Sequence, residues 1–184
     1  MTDRGISRRT LALSIISLAA AIPALAAGPS SSFTAPNIVE ISPTLVTSGQ
    51  PRAAPLAGLA DAGFNAVISL APPTVPDAVA DEAGIVERQG LSYLNIPIRF
   101  DNPTQEDFQA FAAALSALKD RKVLVHCQVN MRASSMVFLY RAVVLRDEPQ
   151  HAYEAVTKVW SPNGRWKQFI VATLRNHGIG FDPY

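Results

Sequence analysis

His126, Cys127 and Arg132 stand close together in the stretch VHCQVNMRAS, which runs from Val125 to Ser134. A thiol, an imidazole and a guanidinium so spaced are the parts of a nucleophilic site for an anionic substrate. The sulfur attacks as a thiolate. The guanidinium presents a planar pair of donors that matches two oxygens of a phosphate, sulfate or carboxylate. Cys127 is the chain's single cysteine, so it has no partner for an intramolecular disulfide. A buried, inert cysteine acting as a small hydrophobe is the competing reading.

What holds these groups decides between the two. Residues 122–126 read as a strand, and a helix is expected over about 132–146, so Cys127 falls at a strand-to-helix turn. Amides at a helix N-terminus are unpaired and point toward an incoming anion, and the same field favours a thiolate. The backbone amides of Gln128, Val129 and Met131 are expected to line the anion site. Asn130 and Ser134 can orient the anion or the thiolate. His126, at the end of a buried strand, either hydrogen-bonds the loop and tunes the thiolate or is a structural histidine.

The rest of the chain alternates strands and helices. Strands are expected at 37–41, 45–48, 65–70 and 91–98, and helices at 55–62, 79–89, 149–160 and 165–176. Gly63 and Gly90 act as stops. Thr104–Asp107 matches a capping box, with Phe108, Phe111, Leu115 and Leu118 on one face of the helix behind it. This pattern predicts a single α/β domain over 37–184, with a central, mostly parallel sheet flanked by helices.

The N-terminus carries a different signal. Arg4, Arg8 and Arg9 precede an apolar run over 11–22, and residues 24–26 are small enough for cleavage. The paired arginines in SRRTLAL resemble a twin-arginine export signal. Pro23 interrupts a run short of the ~20 residues that span hydrocarbon, which favours cleavage over anchoring. Residues 1–26 are therefore expected to be removed and 27–36 to form a flexible lead-in. The mature protein would be periplasmic or secreted, with no stable membrane insertion. An oxidising compartment makes an unpaired thiol a liability unless it is used.

The formal net charge of +1 and the lack of a basic run argue against nucleic acid as a partner. His151 and His177 have no ligand spacing with Cys127, so no metal is expected. No glycine-rich nucleotide fingerprint or serine-hydrolase elbow occurs, and no cofactor is expected. Trp160 and Trp166, either side of residues 161–164, read as packing residues, and Arg52 as a surface arginine.

His126 and Cys127, followed by Arg132 and Ser134, resemble the signature loop of the cysteine-dependent phosphatases, especially the small dual-specificity type. The segments SGQP (48–51), GFNAVISL (63–70), GLSYLNIP (90–97) and VLVHC (123–127) resemble a bacterial phosphatase-like domain also found fused to β-lactamase-like hydrolases. The resemblance implies a cysteine-phosphatase-like fold. It also implies a general acid on a loop ahead of the helix that precedes the signature strand. Asp101, in IRFDNP (98–103), occupies that place; a turn former is its other reading. Glu106 and Asp107 are accounted for by the helix start.

One departure stands out: four residues separate Cys127 from Arg132, where the phosphatase signature has five. Asn130 keeps the usual glycine position and tolerates a left-handed backbone. Ala133 sits in the usual arginine slot. Either the loop closes one residue early, as in rhodanese-like sulfurtransferases, or Arg132 leaves rotated by about 100° and bends back. The expected activity is hydrolysis of phosphate monoesters, on a phosphorylated protein or a small phosphate ester, through a Cys127 phosphoenzyme. The alternatives are sulfur transfer through a Cys127 persulfide and a non-catalytic oxyanion-binding module.

Overall fold

The computed structural model describes residues 1–2 and 33–182. The expected signal segment therefore lies outside the described residues except for its first two positions. Five strands form one sheet in the order β1-β2-β5-β3-β4. They are β1 (Val39–Ser42), β2 (Leu45–Ser48), β3 (Ala66–Ser69), β4 (Ser92–Asn95) and β5 (Val123–His126). β1 runs antiparallel to β2, and the other pairings are parallel.

Every residue of β3 and β5 is buried. That is the physical sense of the largely apolar runs AVIS and VLVH, since a parallel strand covered on both faces has no solvent side. Alternation along β5 then sorts its side chains. Val123, Val125 and Cys127 face a core built with helices α3 (Gln105–Ala117), α4 (Met131–Tyr140), α5 (Pro149–Thr157) and α6 (Gly164–Asn176). Leu124 faces a smaller core under α1 (Ala53–Ala57) and α2 (Glu82–Glu87). The domain is thus a single α/β sandwich, with the cysteine carried at the end of its central strand.

The capping box forms as read. Thr104 Oγ1 accepts from the Asp107 amide at 3.1 Å, and Asp107 Oδ2 accepts from the Thr104 amide at 2.9 Å. Gly63 and Gly90 take the left-handed backbone that stops a helix, with φ of 80° and 79°. Three helices depart from expectation. α1 is little more than one turn, and residues 58–63 continue it as turns. α2 begins only at Glu82 because Asp81 is left-handed, with φ 56°. The helix expected over 132–146 begins at Met131 and widens after Tyr140 into a π-helical turn, Arg141–Leu145. The described end of the expected lead-in is held in place. Phe33 meets the Phe64 ring edge-on at 5.3 Å, and the Pro36 carbonyl accepts from the Gly49 amide at 2.7 Å.

Candidate active site

The loop after β5 is built from its outward bonds. The Cys127 amide donates to the Ser48 carbonyl at 3.2 Å. The Gln128 carbonyl accepts from the Gln50 amide at 3.0 Å, and the Val129 carbonyl accepts from Asn37 Nδ2 at 3.1 Å. With both carbonyls occupied from outside, the Gln128 and Val129 amides have no acceptor among the described residues. Gly49 lies so close that a Cβ there would sit 3.0 Å from the Gln128 carbonyl oxygen.

Asn130 turns the chain into α4. Its backbone is left-handed, with φ 72° and ψ −4°. Its side chain donates to the Asn37 carbonyl at 2.6 Å and to Thr47 Oγ1 at 3.1 Å. Asn130 therefore ties the loop to β2 and the preceding segment. The first closing bond of α4 runs from the Ser134 amide to the Asn130 carbonyl at 2.9 Å. The amides of Met131, Arg132 and Ala133 thus belong to the open first turn of a ten-residue helix.

Arg132 projects from that first turn. The Ala133 side chain enters the core, fully buried, and Arg132, one helical step earlier, is 5% exposed with its guanidinium carbon 5.4 Å from the centre of the Phe100 ring. α4 opens directly after Asn130, so Arg132 is its second residue. Ser134 Oγ is 3.3 Å from the Met131 carbonyl. Asn130 Oδ1, Arg132 Nε and Ser135 Oγ are buried without a protein partner. Unsatisfied buried polar atoms are unusual in a core, and these three all fall within residues 130–135.

Asp101 lies on the loop between β4 and α3, next to Phe100. The loop is latched from α6: Trp166 Nε1 donates to the Phe100 carbonyl at 2.9 Å, and the Phe100 ring packs 5.8 Å from both Trp160 and Trp166. The tryptophans read as packing residues thus pack against the loop that carries Asp101. The Asp101 carboxylate is exposed and takes two bonds from Arg99, Nε at 3.1 Å and Nη2 at 2.7 Å. These bonds, with the Arg99 and Arg165 charges beside it, hold its carboxyl below the usual aspartate range.

His126 points away from Cys127, as strand alternation requires. Its ring is fully buried, with Nε2 2.8 Å from Glu82 Oε1. The oxygen lies off the line of a hydrogen bond, and neither atom has another partner. Tyr93 stands beside the same carboxylate; burial first, and then the Glu82 charge, push its hydroxyl up to about 12. Glu82 and Tyr93 line a cleft of about 420 Å³ together with Gln50, Ser69 and Asn95. Cys127 and Arg132 do not line that cleft, but its wall residue Gln50 bonds the Gln128 carbonyl of the anion loop. Sequence reading missed Glu82, because nothing in residues 79–89 marks one glutamate as buried. Arg52 is exposed beside a surface groove with Thr34 and Pro55.

A parallel α/β sheet with a cysteine loop at the end of its central strand, closed by an arginine-bearing helix, defines the cysteine-phosphatase fold. Residues 21–172 match the family described as "DSP-PTPase phosphatase fused to NAD+ Kinase", and the chain belongs to that family of dual-specificity-type phosphatases. A DUF442 phosphatase from Shewanella putrefaciens CN-32 superposes with a TM-score of 0.71 at 30% identity, covering 78% of this chain and 94% of its own. The catalytic domain of the Saccharomyces cerevisiae PP-IP phosphatase SIW14 shares the fold, with a TM-score of 0.62 at 14% identity, over 76% of this chain and 86% of its own. The "Beta-lactamase hydrolase-like protein" of Xylella fastidiosa is 34% identical over 149 residues, 79% of this chain. The chain spans 30% of the length of that relative. Among the described residues no helix is long and apolar enough to cross a membrane.

Proposed function

We propose that this protein is an exported phosphatase that hydrolyses phosphate monoesters through a phosphocysteine at Cys127. The carrying observation is the loop itself: Cys127 opens it, and the amides at 128, 129 and 131–133 are left free of carbonyl partners. Arg132 and these amides hold the non-bridging oxygens, already oriented when charge builds up on phosphorus. The Cys127 thiolate attacks phosphorus, the S–P bond forms, and the bond from phosphorus to the ester oxygen breaks. Asp101, protonated, gives its proton to the leaving oxygen. Water then attacks the phosphocysteine, Asp101 accepts the water proton, and the S–P bond breaks to return thiolate and inorganic phosphate.

The short spacing between cysteine and arginine favours a second reading, sulfur transfer through a Cys127 persulfide, which needs no Asp101. Purified mature protein, Cys127→Ala and Asp101→Asn separate the two when assayed with an aryl phosphate and with thiosulfate plus a thiol acceptor. Phosphate release lost in Cys127→Ala and reduced ~10²–10⁴-fold in Asp101→Asn supports hydrolysis. Thiosulfate turnover that only Cys127→Ala abolishes supports sulfur transfer. Oxyanion binding without turnover of either kind would make the loop a binding module.

Export rests on the twin-arginine pattern at Arg8 and Arg9 and the small residues at 24–26. Replacing both arginines by lysine should retain the full-length chain inside the cell. A processed periplasmic form of that double variant would rule out the twin-arginine route.

A further inference from the structure

An acid catalyst has to carry a proton, yet Asp101 is found in the form least suited to that task. Both its oxygens are engaged by one guanidinium, Arg99 Nε at 3.1 Å and Nη2 at 2.7 Å. A second guanidinium, that of Arg165, belongs to the first turn of α6, next to the Trp166 whose Nε1 bonds the Phe100 carbonyl. A third, Arg132, stacks on the neighbouring Phe100. Arg165 also lines a groove of about 270 Å³ with Asn102, Pro103, Gln105 and Gln168, and this groove adjoins the Asp101 loop. Asp101 therefore sits beside the Arg99 guanidinium on a loop whose Phe100 packs against the Arg132 of the anion loop.

The loop's backbone is fixed by the Trp166–Phe100 bond at 2.9 Å, whereas the Arg99 and Asp101 side chains are each 71% exposed. Solvent screens the pair, so exchanging its partners costs little. We propose that Arg99 and Arg165 form a subsite for a second anionic group of the substrate, and that Asp101 occupies this subsite in the free protein. The substrate class is a phosphate ester with another phosphate a few bonds from the scissile one. Its second phosphate takes the Arg99 fork from Asp101. The same negative charge favours the protonated carboxyl, the form that gives its proton to the leaving oxygen. A lone monophosphate has nothing to exchange with Arg99, and turns over more slowly. This inference rests on the phosphatase reading only for its catalytic consequence; the subsite itself is a matter of binding.

Two measurements on the mature protein keep those parts distinct. Calorimetry compares propane-1,3-bisphosphonate with propylphosphonate, neither of which can be hydrolysed. The bisphosphonate is expected to bind about tenfold tighter, with the ratio falling toward one in Arg99→Ala and in Arg165→Ala. Equal affinities in the unaltered protein, or a preference that survives both substitutions, overturn the subsite whether or not the protein turns anything over. Phosphate release is then compared for propane-1,3-diol mono- and bisphosphate. The bisphosphate is expected to be preferred, and Arg99→Ala to lose the preference while its activity on the monophosphate persists to higher pH. A binding preference without hydrolysis of any ester would leave the subsite standing and refute the phosphatase reading.

Discussion

At the scale of single residues, the site divides into groups that alternate across the central strand. Cys127 faces one core with Val123 and Val125, and His126 faces the other, where Glu82 meets it at 2.8 Å. The buried Glu82–His126 contact lies one residue from the sulfur, on the strand that carries it. Glu82→Gln should therefore slow alkylation of Cys127 by iodoacetamide at neutral pH several-fold while the circular dichroism spectrum stays unchanged. An unaltered rate would confine Glu82 to packing. Much of this scale was legible in the sequence: the thiol and the arginine follow from residue type and spacing, and the left-handed Asn130 from the resemblance that puts it at the family's usual glycine position. The state of Asp101 was not, because Arg99 is two residues away and no periodicity says that two exposed side chains will pair. Glu82 was equally hidden, since burial of one glutamate on a short helix is set by the fold around it.

At the scale of elements, the anion loop depends on what approaches it from outside. Gly49 follows β2 and touches both the loop and the lead-in, and a methyl group there would lie 3.0 Å from the Gln128 carbonyl and 3.2 Å from that of Pro36. Both are backbone atoms and cannot swing aside. Gly49→Ala should displace the loop slightly and lower kcat/KM by about tenfold, less than the ~10²-fold expected of a 1 Å misplacement. The second support is the α6 latch. Trp166→Phe keeps the ring packing and loses the 2.9 Å bond to the Phe100 carbonyl. One neutral hydrogen bond contributes about 1 kcal/mol, so the melting midpoint should fall by roughly 2–4 °C. A fall in kcat at unchanged KM would show that the latch positions the Asp101 loop; unchanged kcat would leave Trp166 a packing residue. Strand order and helix number were readable from the alternation of runs. Helix lengths were less so, because left-handed residues such as Asp81, before α2, and Arg146, after the π-helical turn, bound helices without glycine or proline to announce it.

At the scale of the whole molecule, two cores on either side of one sheet must both persist for the loop to hold its shape. Tyr93 gives a titratable report on the smaller one. Its hydroxyl is pushed up to about 12 in the fold, against about 10 in an unfolded chain. The fold thus favours the neutral phenol, and the stabilisation is full below about pH 10 and lost as pH rises through 12. Urea midpoints should fall over that window in the unaltered protein and fall less in Tyr93→Phe; identical curves would contradict the burial of this hydroxyl. The central claim concerns the intact mature protein, and trapping the covalent intermediate tests it most directly. Asp101→Asn is mixed with an aryl phosphate and quenched in acid, and the modified peptide is located by mass spectrometry. The account predicts a phosphoryl group on Cys127 sulfur that decays in step with phosphate release. Turnover of the ester with an unmodified Cys127 at every time point would contradict it.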